Sequence, residues 1–545
     1  MRGVFLIAVL FGVAQAISLA AMGAARAQDD AAPPAAQAQE AEASSAPVSP
    51  SAQPSADSAP AADATAVESS PVPAHPVVAI IRAKLSQSDV TKGADAADVA
   101  GLQAFYAAWS GPPLWVTDMG FSARGQAALF EIDKADDWGL DAKVFDLPNA
   151  AALPANEEAQ ALAEIALDLA ILKYARYARG GRYDPARLSD VLDQAPPVRD
   201  PKTVIAEIGA SSEPGTYLTS LHPSHQQFVR LRKALLEARD KEEGEPDTTD
   251  IKRIVMNMER WRWMPEELGD LYVWINVPEF RLYVVSDSEE VFVDKTLVGT
   301  IGNPTPVFSA DMKTIVFNPD WVAPPSVLED KLWPALKRGY YNILKSNKLL
   351  VSYQGKAVDP SKVDWNRVNI HNFTFTQRAG PTNVLGKVKF LYPNKHIVYM
   401  HDTLPYRQKV FKEKTRAIGY GCVRMEQPKK FSEVLLAKDK QWSETQVDEL
   451  WDKGQNKSVS IDRTIPVHTT YFTAVVDKDG KVSTYGDLYG IDRKLAAAMF
   501  GSTEGFPEPP PEPKQPQGSV ASSGVPSRDR SGGSGIASSL GFIGD

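Results

Sequence analysis

From Leu271 the chain stops reading as helix. Between residues 271 and 401 come the runs LYVWINV, FRLYVV, EVFVDKTLVG, KTIVFNP, KVKFLYP and HIVYMH, rich in β-branched and aromatic residues and separated by turn-formers. Runs of this kind cannot form the apolar stripe of an amphipathic helix, and they predict a mostly antiparallel β domain over 265–495. A closing hairpin, VHTTYFTAVVDKDGKVSTYG, turns at Asp479-Gly480. Between two of the strands lies a long insertion, 322–372, that reads first as helix (SVLEDKLWPALKRGYYNIL) and then as turns. An insertion of that length in a compact domain suggests a capping element over a site, with decoration as the plain alternative.

The N-terminal half is of another kind. Leu162, Ile165, Leu169 and Leu172 recur at helical spacing, as do Phe228, Leu231, Leu235 and Ala238. FYAAWSGPPLWV breaks the pattern with Gly-Pro-Pro between aromatics, a packed turn. The expectation is a helical scaffold over 77–264. It includes a charged linker at 240–250 and a last helix, capped by Asp250, that ends in MERWRWMPEELG. This segment has no metal-spaced cluster and no phosphate loop, so by itself it carries no functional signal. The fold class is therefore α+β, a helical scaffold followed by a β domain with an inserted cap.

The ends bound the compartment. Residues 1–27 read as a secretory signal: Arg2, an apolar stretch from Val4 to Leu19, and the small-x-small site Ala25-Arg26-Ala27. An uncleaved membrane anchor is the alternative. Residues 28–76 are rich in Ala, Pro, Ser and Glu and read as a disordered linker, and 496–545 reads as a tail, disordered from about 506. The implied location is the periplasm. A net charge of −9 and a pI near 5.5 argue against nucleic acid as a partner.

Cys422 is the only cysteine in 545 residues. An exported chain with one cysteine has no internal disulfide, and a thiol left over in an oxidising compartment is a hazard unless it is used. A lone cysteine is ordinarily a small buried hydrophobe. Here, however, the turn Gly419-Tyr420-Gly421 delivers it, and backbone N–H groups at such a turn can meet an oxyanion. His401, one of seven histidines, stands upstream as a candidate base.

The words MERWRWMP, LYVWINVPEFRLYVV, NPTPVFSADMKTIVFNP, QRAGPTNVLGKVKFLYPN, VYMHDT and GCVRM resemble the L,D-transpeptidases of bacterial cell walls (YkuD-type catalytic domain), more narrowly the long proteobacterial branch with an N-terminal helical scaffold. The likeness covers about residues 85–495. It places the family's base on His401, its glycine on Gly421 and its nucleophile on Cys422. Tyr420 and Gly421 supply backbone N–H groups, and Tyr399 and Arg424 are candidate substrate contacts. Either could instead be structural, Tyr399 as core and Arg424 as a brace for the turn. The family implies a β-sandwich-like catalytic domain with a capping subdomain, which fits the strand runs and the 322–372 insertion, and no metal and no cofactor is expected.

The resemblance implies cross-linking of peptidoglycan, with a role in cell-wall biogenesis and cell shape. Cys422 would take the acyl group of the third residue of a tetrapeptide stem, release D-Ala, and pass the acyl group to an amine of another stem. His401 would be oriented by a backbone carbonyl at its other nitrogen. The alternatives are hydrolysis by water (an L,D-carboxypeptidase), attachment of outer-membrane proteins as acceptors, and a non-catalytic peptidoglycan-binding scaffold. Three departures stand out. Gly419 and Tyr420 replace the serine and histidine usual before Gly-Cys. The 21 positions between His401 and Cys422 are about two more than the family leads one to expect. Only Glu237 to Asp250 stands where the branch carries a peptidoglycan-binding module.

Overall fold

The computed structural model describes residues 75–241 and 248–509. The expected signal over 1–27, nearly all of the 28–76 linker, the middle of the charged linker and the tail beyond 509 lie outside the described residues. Pro76 already opens a helix, Pro76–Lys84.

In the scaffold, helix α1 (Ala96–Ala108) is capped by Asp95, whose carboxylate accepts the Ala97 N–H. Helix α2 (Glu157–Gly180) is capped in the same way by Asn156. Buried on α2, one turn apart, are Glu164 and Asp168. The backbone N–H groups of Leu114, Trp115 and Val116 all donate to the Glu164 carboxylate. The Trp115 indole donates to Asp168 at 2.7 Å, and the Tyr106 hydroxyl lies 3.0 Å from Glu164 and 2.7 Å from Asp168. These bonds are why the Gly-Pro-Pro stretch is a packed turn rather than a loose one. Burial raises Glu164 to about 7, and burial with the neighbouring Glu164 charge pushes Asp168 well above the carboxylate range.

Helices α3 (Gln226–Lys241) and α4 (Thr249–Arg262) pack on each other. Thr248, not Asp250, caps α4, accepting the Ile251 N–H; Asp250 lies within its first turn. Charged residues as well as apolar ones are buried on α4, because the helix is a seam between the two halves. On the scaffold side Glu259 accepts the N–H groups of Arg182 and Tyr183, and Arg262 donates to the Trp138 carbonyl at 2.6 Å. On the other side Arg260 pairs with Asp492 at 2.6 Å and donates to Thr473 at 3.1 Å.

The β domain is one sheet that curls back on itself. Its strands are β1 (Leu271–Asn276), β2 (Arg281–Ser286), β3 (Glu289–Gly299), β4 (Ser309–Phe317), β5 (Val388–Leu391), β6 (Met400–His401), β7 (Ala417–Gly419), β8 (Val423–Met425) and β9 (Lys457–Thr470). They run in the order β7-β3-β8-β6-β5-β4-β9-β1-β2, and β2 pairs again with β3. The first part of β3 bonds to β2 and its last residues bond to β8 and β7, so this long strand closes the ring. Three pairs are parallel, β6 with β8, β7 with β3 and β9 with β1, and the rest are antiparallel. Helix α5 (Pro428–Lys440) lays Phe431, Leu435 and Leu436 against Phe390, Met400 and Met425.

The insertion is slightly longer than its sequence boundaries, because the strands that close it are its own. Trp321–Val322 pairs with Thr376 and Gln377, and the sheet continues through Leu349–Tyr353 to Lys356–Ala357. The FTFTQ run at 373–377 belongs here and not to the main sheet: Phe373 and Phe375 face a separate core with Trp365, Leu332 and Leu336. HIVYMH is a strand only at its last two residues. Asn394 bonds the backbone of Tyr392, His396 and Val398, and Ile397 sits at φ +57°, so the first half is a turn. The tail begins later than 496, since helix α6 runs Ile491–Phe500. Phe506 is 2% exposed, so apolar burial orders the chain past that residue.

Because Asp492 neutralises Arg260 inside this seam, Asp492→Ala leaves a buried guanidinium without its charge partner. The variant should lose about 3–5 kcal/mol, read by urea unfolding followed through tryptophan fluorescence. A loss under about 1 kcal/mol, the range of an exposed pair, would contradict the assignment of α4 as a buried seam.

Candidate active site

The site is built by register. In the parallel pair β6–β8, Met400 lies opposite Val423 and His401 opposite Arg424. Side chains alternate along a strand, and residues in register point to the same side. Met400, Val423 and Met425 therefore enter the core, where they are fully buried. Tyr399, His401, Cys422 and Arg424 take the other face. The Tyr399 and His401 rings are 5.7 Å apart there. From the spacing of strands, the Cα atoms of His401 and Cys422 are about 8 Å apart on the diagonal, a distance two side chains can bridge.

His401 is buried and its Nδ1 lies 2.6 Å from the carbonyl oxygen of Asp402. A carbonyl can only accept, so Nδ1 carries the proton and Nε2 is left with its lone pair. Burial, with help from the Arg424 charge, brings the imidazole down to about 3, so it is neutral through the neutral range. Asp402 is itself held by its side chain, which accepts the N–H groups of Lys387 and Thr403.

Cys422 is free and partly exposed. Burial of its thiol raises its pKa; the Tyr399 N–H, which donates to the sulfur, and the Arg424 charge both work the other way without overcoming it. Thiol and imidazole are thus both neutral at rest. These two shifts oppose a thiolate formed before substrate arrives and leave proton transfer to the moment of attack.

The turn before the cysteine explains the first departure from the family pattern. Gly419 ends β7, and a Cβ at that position would sit 3.1 Å from the Val298 carbonyl oxygen and 3.3 Å from that of Cys422. A serine there needs its neighbours to move. Gly421 has φ +89°, a conformation that side chains rarely adopt. Tyr420 is half-buried.

Tyr399 joins the site strand to the insertion. It packs against the insertion's core and receives a hydrogen bond from Trp321, the insertion's first residue. It is thus tied into the insertion's packing while its ring lies beside His401.

The structure adds residues that no motif singled out. Thr305 bonds the Gly421 carbonyl at 2.8 Å. The Tyr392 hydroxyl is buried with no hydrogen-bond partner among the described residues, and the Cys422 charge adds to burial in raising its pKa. Asp193, from the scaffold, holds Lys395 at 2.6 Å and His396 at 2.7 Å in the turn that leads into β6. Thr305 lies inside a matched word, NPTPV, but nothing in that word says what its hydroxyl meets. Among the described residues no group of His, Cys, Asp and Glu is placed to hold a metal ion, and no helix is long and apolar enough to cross a membrane.

A curled β domain that sets a cysteine and a neutral histidine on neighbouring strands, with an inserted subdomain joined to the same face, defines the class. Residues 270–448 match the model of the L,D-transpeptidase catalytic domain, and residues 100–235 match that of the scaffold domain. Over those regions the chain is similar to the L,D-transpeptidase catalytic domain and, before it, to the scaffold domain. A Haemophilus influenzae protein provisionally named an L,D-transpeptidase is 32% identical over 248 residues, 45% of this chain and 49% of that protein. The chain thus spans about half the length of this curated relative. An L,D-transpeptidase from Mycobacterium smegmatis aligns over 37% of this chain and 58% of its own at 12% identity, with a TM-score of 0.18, too low to bear on the fold.

The two opposed shifts make a pH prediction. A raised thiol pKa means that the thiolate fraction grows only at alkaline pH. Iodoacetamide alkylation of Cys422, followed by intact mass from about pH 5 to about pH 10, should still be accelerating above the ordinary thiol value of about 8.5. A rate already at its plateau below about pH 7 would show a preformed thiolate–imidazolium pair.

Proposed function

We propose that this protein is a peptidoglycan L,D-transpeptidase with Cys422 as nucleophile and His401 as general base and acid. One observation carries the reading: on the strand beside Cys422, on the same face, stands a neutral His401 whose Nδ1–H is committed to the Asp402 carbonyl. Its Nε2 is left to take a proton.

As the sulfur attacks the carbonyl carbon of the third stem residue, Nε2 takes the thiol proton. The carbonyl oxygen becomes an oxyanion and is met by backbone N–H groups of Tyr420, Gly421 and Cys422; one such donor is typically worth about 3–4 kcal/mol. The Arg424 charge, which already favours the thiolate and disfavours the imidazolium, lowers the cost of negative charge on this face. The C–N bond to D-Ala breaks, and the leaving amine takes the proton from His401. An acceptor amine then attacks the thioester carbonyl and gives its proton to His401. The thiolate leaves and is reprotonated. Tyr399 lines the donor side between this pair and the insertion, which covers the bound stem. Export by residues 1–27 would put the protein in the periplasm with its substrate.

The test is incubation of the pure protein with disaccharide-tetrapeptide and analysis by mass. The wild type should carry an acyl adduct, as it should with a carbapenem, and should release a 3→3 cross-linked dimer. Cys422→Ala should show neither while keeping its melting temperature. His401→Ala should lose turnover by about 10²–10⁴-fold. An adduct on Cys422→Ala contradicts the nucleophile. Tripeptide as the sole product would make the enzyme an L,D-carboxypeptidase, and product with an added protein amine alone would make it an attachment enzyme.

A further inference from the structure

The turn that carries Cys422 is pinned by a side chain outside it. Thr305 is fully buried, in the loop that leaves β3. Its hydroxyl accepts the Gly299 N–H at 2.9 Å and donates to the Gly421 carbonyl at 2.8 Å. With a donor already directed at the oxygen, the hydroxyl proton is committed to Gly421. The loop itself is fixed. The Thr305 N–H donates to the Tyr489 hydroxyl at 3.1 Å, and that hydroxyl donates back to the Gly299 carbonyl at 2.8 Å. Two residues further on, Val307 exchanges backbone hydrogen bonds with Val191 and Asp193 of the scaffold, each 2.8 Å.

In a trans peptide the C=O and N–H point in opposite directions. Turning the Gly421 carbonyl onto Thr305 therefore turns the Cys422 N–H away from it. Among the described residues the N–H groups of Tyr420, Gly421 and Cys422 donate to no protein acceptor. The groups around them are engaged: the Gly419 carbonyl by the Thr300 N–H at 3.0 Å, and the Val423 N–H by the Tyr399 carbonyl at 3.2 Å. Gly421 has no Cβ to resist a flip of the peptide between it and Cys422. The Thr305 hydroxyl is what resists it.

We propose that Thr305 is a positioning residue for acyl transfer: by holding the Gly421 carbonyl it aims the Cys422 N–H at the developing oxyanion. This rests on the acyl-transfer reading above. It separates two reactions of one sulfur. Attack on a stem carbonyl builds an oxyanion and needs the aimed N–H. Alkylation by iodoacetamide displaces iodide from a saturated carbon and builds none.

The experiment measures both rates on the full-length protein, wild type against Thr305→Val, which keeps the shape without the hydroxyl, and Thr305→Ser, which keeps the hydroxyl. In Thr305→Val, acylation by disaccharide-tetrapeptide should slow by at least about tenfold in kcat with KM little changed, while alkylation stays within about twofold, since a lost oxyanion donor costs roughly 10²–10³ and a misaimed one less. Thr305→Ser should restore acylation. If Thr305→Val does not fold, Thr305→Ala, which also lacks the hydroxyl and adds no second thiol, takes its place with the same expected split. Equal losses in both rates would make Thr305 merely structural and overturn the proposal, as would unchanged acylation. A wild type that is alkylated but never acylated overturns the acyl-transfer reading, and the proposal with it.

Discussion

The site depends on two residue pairs. β6 and β8 are short strands, and their parallel register, Met400 with Val423 and His401 with Arg424, decides which side chains share a face. A slip of one residue would send His401 into the core and Met400 to the site. Strands this short do not hold register alone, so the rest of the domain holds it for them. Met400, Val423 and Met425 are locked into the core beneath, β3 bonds the far side of β8, and the Asp402 side chain ties the end of β6 to the start of β5.

The scaffold takes part in this. It meets the β domain along α4, where Glu259, Arg260 and Arg262 are all buried: Glu259 and Arg262 bond to the scaffold, and Arg260 bonds to Asp492 and Thr473 on the other side. It also reaches the two segments that precede the site. Asp193 holds the turn before β6, and its flanking backbone pairs with Val307, just after Thr305. A buried charged helix is an expensive way to stabilise a protein, and apolar packing often does as well. Fixed relative position is what such a seam supplies, and here it fixes the loop that orients the nucleophile's turn.

The strand runs from Leu271 were legible because β-branched residues in alternation have one structural reading. Where the reading failed, local hydrogen bonds or a second core had taken over. Asn394 replaces the first half of a strand with a turn, and Phe373 and Phe375 serve the insertion's core rather than the main one. His401 and the lone cysteine could be paired from sequence only through the family's words, since spacing alone does not give register. Gly419 looked like a lost hydroxyl and is instead a place with little room for a Cβ. Thr305 could not be read at all, because its partner is a backbone carbonyl 116 positions away.

A crystal structure of the protein trapped as an acyl adduct on Cys422 tests the account at its centre. The account predicts the adduct's carbonyl oxygen within about 3 Å of the Cys422 N–H, with a further amide of the turn beside it. It also predicts the Gly421 carbonyl still on Thr305 and His401 Nε2 facing the sulfur. An adduct whose oxygen points away from the turn, or a Gly421–Cys422 peptide flipped off Thr305, would contradict it.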